Sequence, residues 1–188
     1  MVISLEDQPR LIALARRALE ARVRHGGLPD IDSTLAPEIR CGAFVSIFHD
    51  GELRGCLGRL NSPLPINSPL PIARLVAELA QAVADSDPRF DRVTPQELAG
   101  IRLEISVLTP EREIQSVEEI EVGKHGLIVE QGTNRGLLLP QVPGEHGWDR
   151  DAFLDHACVK AGLAADAWRR GARLFVFEAQ IFGERSSG

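Results

Sequence analysis

Asp50-Gly51 stands between two strand-like runs, 41–49, with Phe44, Val45, Ile47 and Phe48, and 52–58, with Leu53, Cys56 and Leu57. A two-residue Asp-Gly loop in that setting predicts a tight β-hairpin, because both turn residues must adopt φ > 0. Such a loop also predicts the register, with His49 opposite Glu52, Ile47 opposite Arg54 and Val45 opposite Cys56. Phe44, Phe48, Leu53 and Leu57 then share one face, and Val45, Ile47, Arg54 and Cys56 the other. Apolar groups on both faces predict a hairpin in the middle of a sheet.

Around this hairpin the pattern alternates between helix and strand. Leu11, Leu14, Ala15, Ala18 and Leu19 recur at helical spacing and predict a helix over 7–24, with Pro9 in its first turn and Gly26-Gly27 at its end. The next stretch, 28–39, reads as a loop. Residues 61–72 repeat Asn-Ser-Pro-Leu-Pro-Ile, and four prolines there exclude helix and central strand. A second helix is predicted over 72–85, stopped at Ser86-Asp87-Pro88. Ile101, Leu103, Ile105 and Val107 alternate with polar residues and predict a half-buried strand. Capped turns are predicted at Thr94-Pro95-Gln96-Glu97 and over 116–120. Strands are expected over 126–131 and 136–140, a helix over 148–161, a short turn over 165–169 and a last strand over 173–182. The interspersed hairpins and helices predict an α+β fold with a mixed, largely antiparallel sheet.

Whole-chain properties narrow the function classes. With 188 residues the chain suffices for one core, or one core with a smaller lobe. A net charge of −6 argues against non-specific DNA binding, which requires many cations on phosphates. It leaves room for a small molecule, a nucleotide or an RNA end in a local basic cleft. No apolar run is long enough for a membrane helix. Residues 1–10 carry Glu6 and Asp7 and no apolar segment of the signal-peptide kind, so the cytoplasm is the expected compartment. Cys41, Cys56 and Cys158 are odd in number and widely spaced, which argues against a disulfide framework.

Cys56 is the leading candidate for chemistry, within Leu53-Arg54-Gly55-Cys56-Leu57-Gly58. Arg54, two residues away on the same predicted face, lies close enough to favour the thiolate. Gly55 and Gly58 would leave backbone N–H groups open to a ligand. The competing reading is a small cysteine packed in a core. Lys124-His125, between two glycines, suggests a turn that presents an anion anchor and a base. Glu104 is a candidate acid on the polar side of its strand, and Asp87 and Arg89 are candidates for a cleft rim. His146, Asp149, Asp151, Asp155, His156 and Cys158 do not have metal-site spacing, so no metal is expected. No phosphate-binding loop or dinucleotide fingerprint is present, and no cofactor is expected.

The segment Leu53 to Gly58 resembles the signature of the AMMECR-type domain, also called protein A of the AmmeMemoRadiSam gene system, with Leu57 where isoleucine is usual. Ser86-Asp87-Pro88-Arg89-Phe90, Leu103-Glu104-Ile105-Ser106-Val107-Leu108, Val122-Gly123-Lys124-His125-Gly126-Leu127 and Leu138-Leu139-Pro140-Gln141-Val142-Pro143 continue the resemblance. So do Trp148-Asp149 and Cys158-Val159-Lys160-Ala161-Gly162-Leu163. The doubled proline-rich hexapeptide is an insertion against the family pattern. The resemblance implies one AMMECR-type domain over 1–188 with a larger and a smaller lobe, and genes that accompany Memo-type and radical-SAM proteins. It adds Gln141 to the substrate-binding candidates. Two functions are expected from it: a cysteine-dependent enzyme of a modification pathway, acting on a nucleobase, RNA or protein, or a non-catalytic partner of those proteins.

Overall fold

The structure, a computed structural model, describes residues 3–36, 39, 41–59 and 70–184. The fold is α+β. In chain order the elements are α1 (Asp7–Val23), β1 (Ala43–His49), β2 (Glu52–Arg59), α2 (Ile72–Ala82), β3 (Ile101–Leu108), β4 (Arg112–Ile114), β5 (Gly126–Gln131), β6 (Asn134–Leu138), α3 (Val142–His146), α4 (Arg150–Lys160), β7 (Arg173–Phe177) and β8 (Ala179–Gly183). They form two four-stranded sheets, ordered β2-β1-β3-β8 and β4-β7-β5-β6. The β1–β2, β1–β3, β4–β7, β5–β6 and β5–β7 pairings are antiparallel.

The chain divides into two compact units, Met1–Val107 with Gln180–Gly188, and Leu108–Ala179. In the first, α1 and α2 bury their apolar stripes with Ala43, Val45 and Ile47 of β1 and Leu103 and Ile105 of β3. In the second, Phe153, Leu154, Ala157 and Cys158 of α4 pack with Leu127, Val129, Leu174 and Val176. Each sheet thus has one face on an apolar core, the arrangement that alternating strands dictate.

Several expectations need correction. The hairpin turn is present, with Asp50 at φ 52 and Gly51 at φ 86, and His49 opposes Glu52. A bulge between Ile47 and Phe48 then shifts the register, so that Ile47 opposes Gly55 and Ser46, not Val45, opposes Cys56. Arg54 is the extra residue. A one-residue slip moves every later side chain to the opposite face. β2 is also an edge strand rather than a central one. The run over 173–182 is two strands, one in each sheet, because the chain breaks at Glu178: its N–H donates to Thr109 Oγ1 at 2.8 Å and its carbonyl accepts from Thr109 N at 2.8 Å. β6 begins at Asn134, which tightens the β5–β6 turn. α3 was not foreseen.

The expected proline-rich loop lies outside the described residues except at its end, where Pro71 caps α2. Ile72 there is fully buried, and its N–H donates to the Ile39 carbonyl at 2.8 Å.

Candidate functional site

The bulge decides which way Cys56 points. On either side of it, Leu57 packs on the apolar core, and a Cβ at Gly55 would meet Val83 and Ile47 of that core. Cys56 therefore faces away from the core. Its hydroxyl neighbour across the pair, Ser46, lies between fully buried Val45 and Ile47. Ser46 Oγ is 3.2 Å from Cys56 Sγ. On the other side of β1, Ser46 opposes Glu104 of β3. Carboxylate, hydroxyl and thiol thus form one row across three strands, with neighbouring Cβ atoms about 5 Å apart. Ser46 was missed in the sequence, although a serine between two β-branched residues was the available signal.

An edge strand leaves alternate N–H and C=O groups without a ladder partner. At Cys56 these are taken by the turn after α2. Asp87 Oδ2 accepts from Cys56 N–H at 2.9 Å, and Arg89 Nη2 donates to the Cys56 carbonyl at 3.2 Å. Asp87 is buried, at 4% exposure. Its carboxylate also accepts from Arg89 Nε at 2.9 Å and Nη2 at 2.7 Å, a two-pronged pair. The Arg89 fork, with the Cys56 N–H, holds the Asp87 carboxyl well below the usual carboxylate range despite burial. Asp87 and Arg89 are thus a clamp on the cysteine backbone rather than an open cleft rim.

Arg54 does not approach the thiol. The bulge sends its guanidinium to Glu97, with Nε 2.7 Å from Oε1, and to the Asp91 carbonyl at 2.9 Å. Bonds from Arg54 and Thr94 lower the Glu97 carboxyl to about 2 against the opposing effect of burial. The cation that acts on Cys56 is Arg89. Burial pushes the Cys56 thiol up. The Ser46 hydrogen bond and Arg89 pull it down, while Asp87 and Glu104 push it up, and the net direction is up. The two glycines also differ from expectation. A Cβ at Gly58 would overlap the Phe44 ring, and one at Gly55 would crowd Val83 at 3.0 Å. Both are small because protein atoms occupy the space.

The remaining candidates belong to the second unit. Lys124 is exposed and pairs with Glu121 at 3.1 Å. His125 is buried rather than presented by the turn. Its Nδ1 accepts from Glu121 N–H at 3.1 Å, and its Nε2 lies 3.9 Å from Glu178 Oε1. Gln141 precedes α3, with its Oε1 buried and unpartnered among the described residues. Cys56, Ser46, Glu104, Asp87 and Arg89 are brought together; Lys124, His125 and Gln141 are in the other unit. All three cysteines are free thiols. No group of three or more His, Cys, Asp or Glu suited to a metal ion occurs among the described residues.

The AMMECR1 family model matches residues 12–182. The chain belongs to the AMMECR1 family. An AMMECR1 relative from Methanopyrus kandleri is 41% identical over 193 residues, covering 97% of this chain and 90% of that protein. One from Thermofilum pendens is 42% identical over 201 residues, covering 97% and 92%. The crystal structure of an uncharacterized protein from Pyrococcus horikoshii is similar with a TM-score of 0.85 at 38% identity, covering 97% of this chain and 94% of that one. The AMMECR1 fold thus extends over nearly the whole chain. No helix among the described residues is long and apolar enough to cross a membrane.

Proposed function

We propose that this AMMECR1 protein is a cysteine-dependent enzyme of a modification pathway, with Cys56 as the group that bonds to substrate. The observation that carries the reading is the orientation of Cys56, away from the apolar core and into a polar row, with its backbone clamped at both N–H and C=O. A cysteine that served only packing would face the core, as Leu57 does. The clamp fixes the backbone of Cys56 and the Ser46 hydroxyl contacts its sulfur, which supports the positional part of catalysis.

The row supplies a route for the proton. A serine hydroxyl both accepts and donates: Ser46 rests as a donor to Cys56 Sγ, and by turning its hydroxyl to Glu104, the candidate base across β1, it can take the S–H proton as it passes its own on. The sulfur lone pair then adds to a C=O or C=N carbon of the substrate, whose π pair moves to the heteroatom and is neutralised by the proton now on Glu104. This matters because burial and the flanking carboxylates hold the thiol protonated at rest; proton transfer must accompany attack. Arg89 offsets part of the charge.

The substrate class is a nucleobase, RNA or protein side chain, and the pathway is one shared with Memo-type and radical-SAM proteins in the cytoplasm. A direct test is intact-mass detection of a covalent adduct after incubation with fractionated cell extract. The adduct is expected on the native chain and absent from Cys56→Ser. Native-state alkylation gives the decisive negative: if Cys56 reacts only after unfolding, the reading fails.

One observation favours a second reading. A protonated, half-buried thiol flanked by two carboxylates suits a binding surface, with the chain acting as a non-catalytic partner of the Memo-type or radical-SAM protein. Calorimetric titration with each partner distinguishes it: binding that survives Cys56→Ser, with no adduct from any extract, selects the adaptor.

A further inference from the structure

A second polar site lies in the first unit, on side chains that the Cys56 site does not use. Arg22, His25, Gly26, Asp85 and Arg92 line an open cleft of about 220 Å³. α1 ends beside it: His25 turns left-handed at φ 62, and the Gly26 N–H closes on the Ala21 carbonyl at 2.6 Å. The turn after α2 supplies Asp85, and Gln81 Nε2 ties that region to the Gly27 carbonyl at 3.0 Å.

Two guanidinium groups meet one carboxylate here. Arg22 Nε donates to Asp85 Oδ2 at 2.8 Å, and Arg92 Nη2 donates to the same oxygen at 3.2 Å. Asp85 Oδ1 accepts from Ser86 Oγ at 2.9 Å. Asp85 is therefore saturated, whereas Arg92 has spent one donor, and no other acceptor among the described residues takes the rest. The backbone beneath Arg92 is fixed: Arg54 donates to the Arg92 carbonyl at 3.4 Å and to the Asp91 carbonyl at 2.9 Å. A guanidinium on an anchored loop with unused donors is a ready donor to the oxygens of a phosphate group.

Helix C-termini oppose an anion. Here that opposition is reduced, because the last carbonyls of α1 accept from Arg24, His25 and Gly26 N–H, and those of α2 accept from Val83, Ala84, Asp85 and Ser86 N–H. The residual dipole is screened at an exposed end. The formal charges of the lining arginines exceed that of Asp85. The volume is below the roughly 300–1,000 Å³ of drug-sized sites, which limits the ligand to a small one.

We infer that this cleft binds the phosphate group of a small phosphorylated molecule, with Arg92 as the principal donor, Arg22 beside it and His25 at the rim. The site is separate from the proposed chemistry at Cys56, and its test does not depend on that chemistry.

The test is calorimetric titration of the full chain with inorganic phosphate, pyrophosphate and acetate at constant ionic strength. Saturable binding of the first two is expected with Kd below about 1 mM. Arg92→Ala should weaken it about tenfold, and Arg92→Lys should recover part of the loss, because a point charge replaces a fork. Arg92 has 65% side-chain exposure, so melting of Arg92→Ala in chloride should match the native chain. Arg17→Ala, which removes an exposed charge elsewhere on α1, should bind as the native chain does. Absence of saturable binding, equal loss in Arg17→Ala, or no loss in Arg92→Ala would each overturn the inference and leave the cleft as a salt-bridge junction. Acetate binding as tight as phosphate would overturn the ligand class.

Discussion

The sheets of the two units share one device and differ in what surrounds it. In each, a phenylalanine ring lies over a cross-strand glycine, Phe44 over Gly58 and Phe177 over Gly126, where any Cβ would overlap the ring. The faces away from the cores then diverge. In the second unit, Arg173 pairs with Glu113 and Glu130, Arg135 pairs with Glu111 and Glu130, and both guanidinium groups lie over Phe175. Those charges satisfy one another on an exposed surface. In the first unit the corresponding face carries the Cys56, Ser46 and Glu104 row, and the ion pair beside it, Asp87 with Arg89, is directed at a backbone. Exposed pairs contribute little to stability. A buried carboxylate that holds a strand edge contributes much more. The difference separates a face built for solubility from a face built to fix one residue.

Removing the clamp should produce the largest effect. Asp87→Ala leaves the Cys56 N–H without its acceptor and releases Arg89, which should cost about 3 kcal/mol. Urea denaturation followed by hydrogen exchange should place the loss in β2. Both tryptophans, Trp148 and Trp168, belong to the second unit, so their fluorescence reports that unit. Glu113→Ala should barely move its urea midpoint. Equal effects of the two substitutions would erase the distinction between the faces.

The shared device offers a matched pair. Gly58→Ala and Gly126→Ala each force a ring out of its position, and each should destabilise by about 1–3 kcal/mol. Similar values would show that the aromatic cover is an equivalent packing element in both units. A much smaller cost at Gly58 would mean that the Phe44 ring moves easily, and that the face around Cys56 is the more adaptable one.

Acid should act on the first unit in a defined window. The folded pKa of Glu97 is depressed to about 2 by Arg54 and Thr94. A depressed carboxyl stabilises the fold above its ordinary value, and that contribution disappears as pH falls through the folded one. Asp87 is depressed in the same direction. Protection of β2 amides, corrected for the intrinsic exchange rate, should therefore decline from about pH 4.5 toward pH 2. Glu97→Gln should flatten the upper part of that decline. Undiminished protection at pH 2 would show that neither carboxylate anchors the strand.

How much of this was legible follows from the range of the interactions. α1 and β3 could be read because their periodicity is local: Leu11 to Leu19 on one helix face, Ile101 to Val107 on one strand face. The Asp50-Gly51 turn was legible for the same reason. The bulge was not, because its causes are distant. Arg54 is drawn out by Glu97, 43 residues later, and Cys56 is held by Asp87, 31 residues later. Gly55 inside a strand was the one local hint of a bulge. Cys56, Glu104, Asp87 and Arg89 were named from residue type and family resemblance, but their connectivity required the fold. Burial of His125 and the split of the last strand at Glu178 likewise depend on partners that no window of sequence contains.

The smallest expected effect addresses the thiol, where the two arginines differ. Both are near Cys56 in sequence or space, but only Arg89 bears on its charge; Arg54 is committed to Glu97. Cys158 is fully buried, and burial lifts the Cys41 thiol to about 11. Cys56 should therefore alkylate first with a small reagent near neutral pH, followed by Cys41 and then Cys158. Burial still governs Cys56, so a single neighbouring charge has limited leverage. Arg89 is also 56% exposed, and solvent screens it. Arg89→Ala should slow alkylation of Cys56 only about two- to threefold, through a smaller thiolate fraction. Arg54→Ala should leave the rate unchanged, since removing it shifts a loop and not the charge at sulfur. Residue-resolved mass spectrometry across pH separates the two cases: a thiolate effect converges at high pH, where the thiol is ionised in both proteins, whereas an access effect persists there. If Arg54→Ala slows Cys56 as much as Arg89→Ala does, the bulge has not separated Arg54 from the thiol.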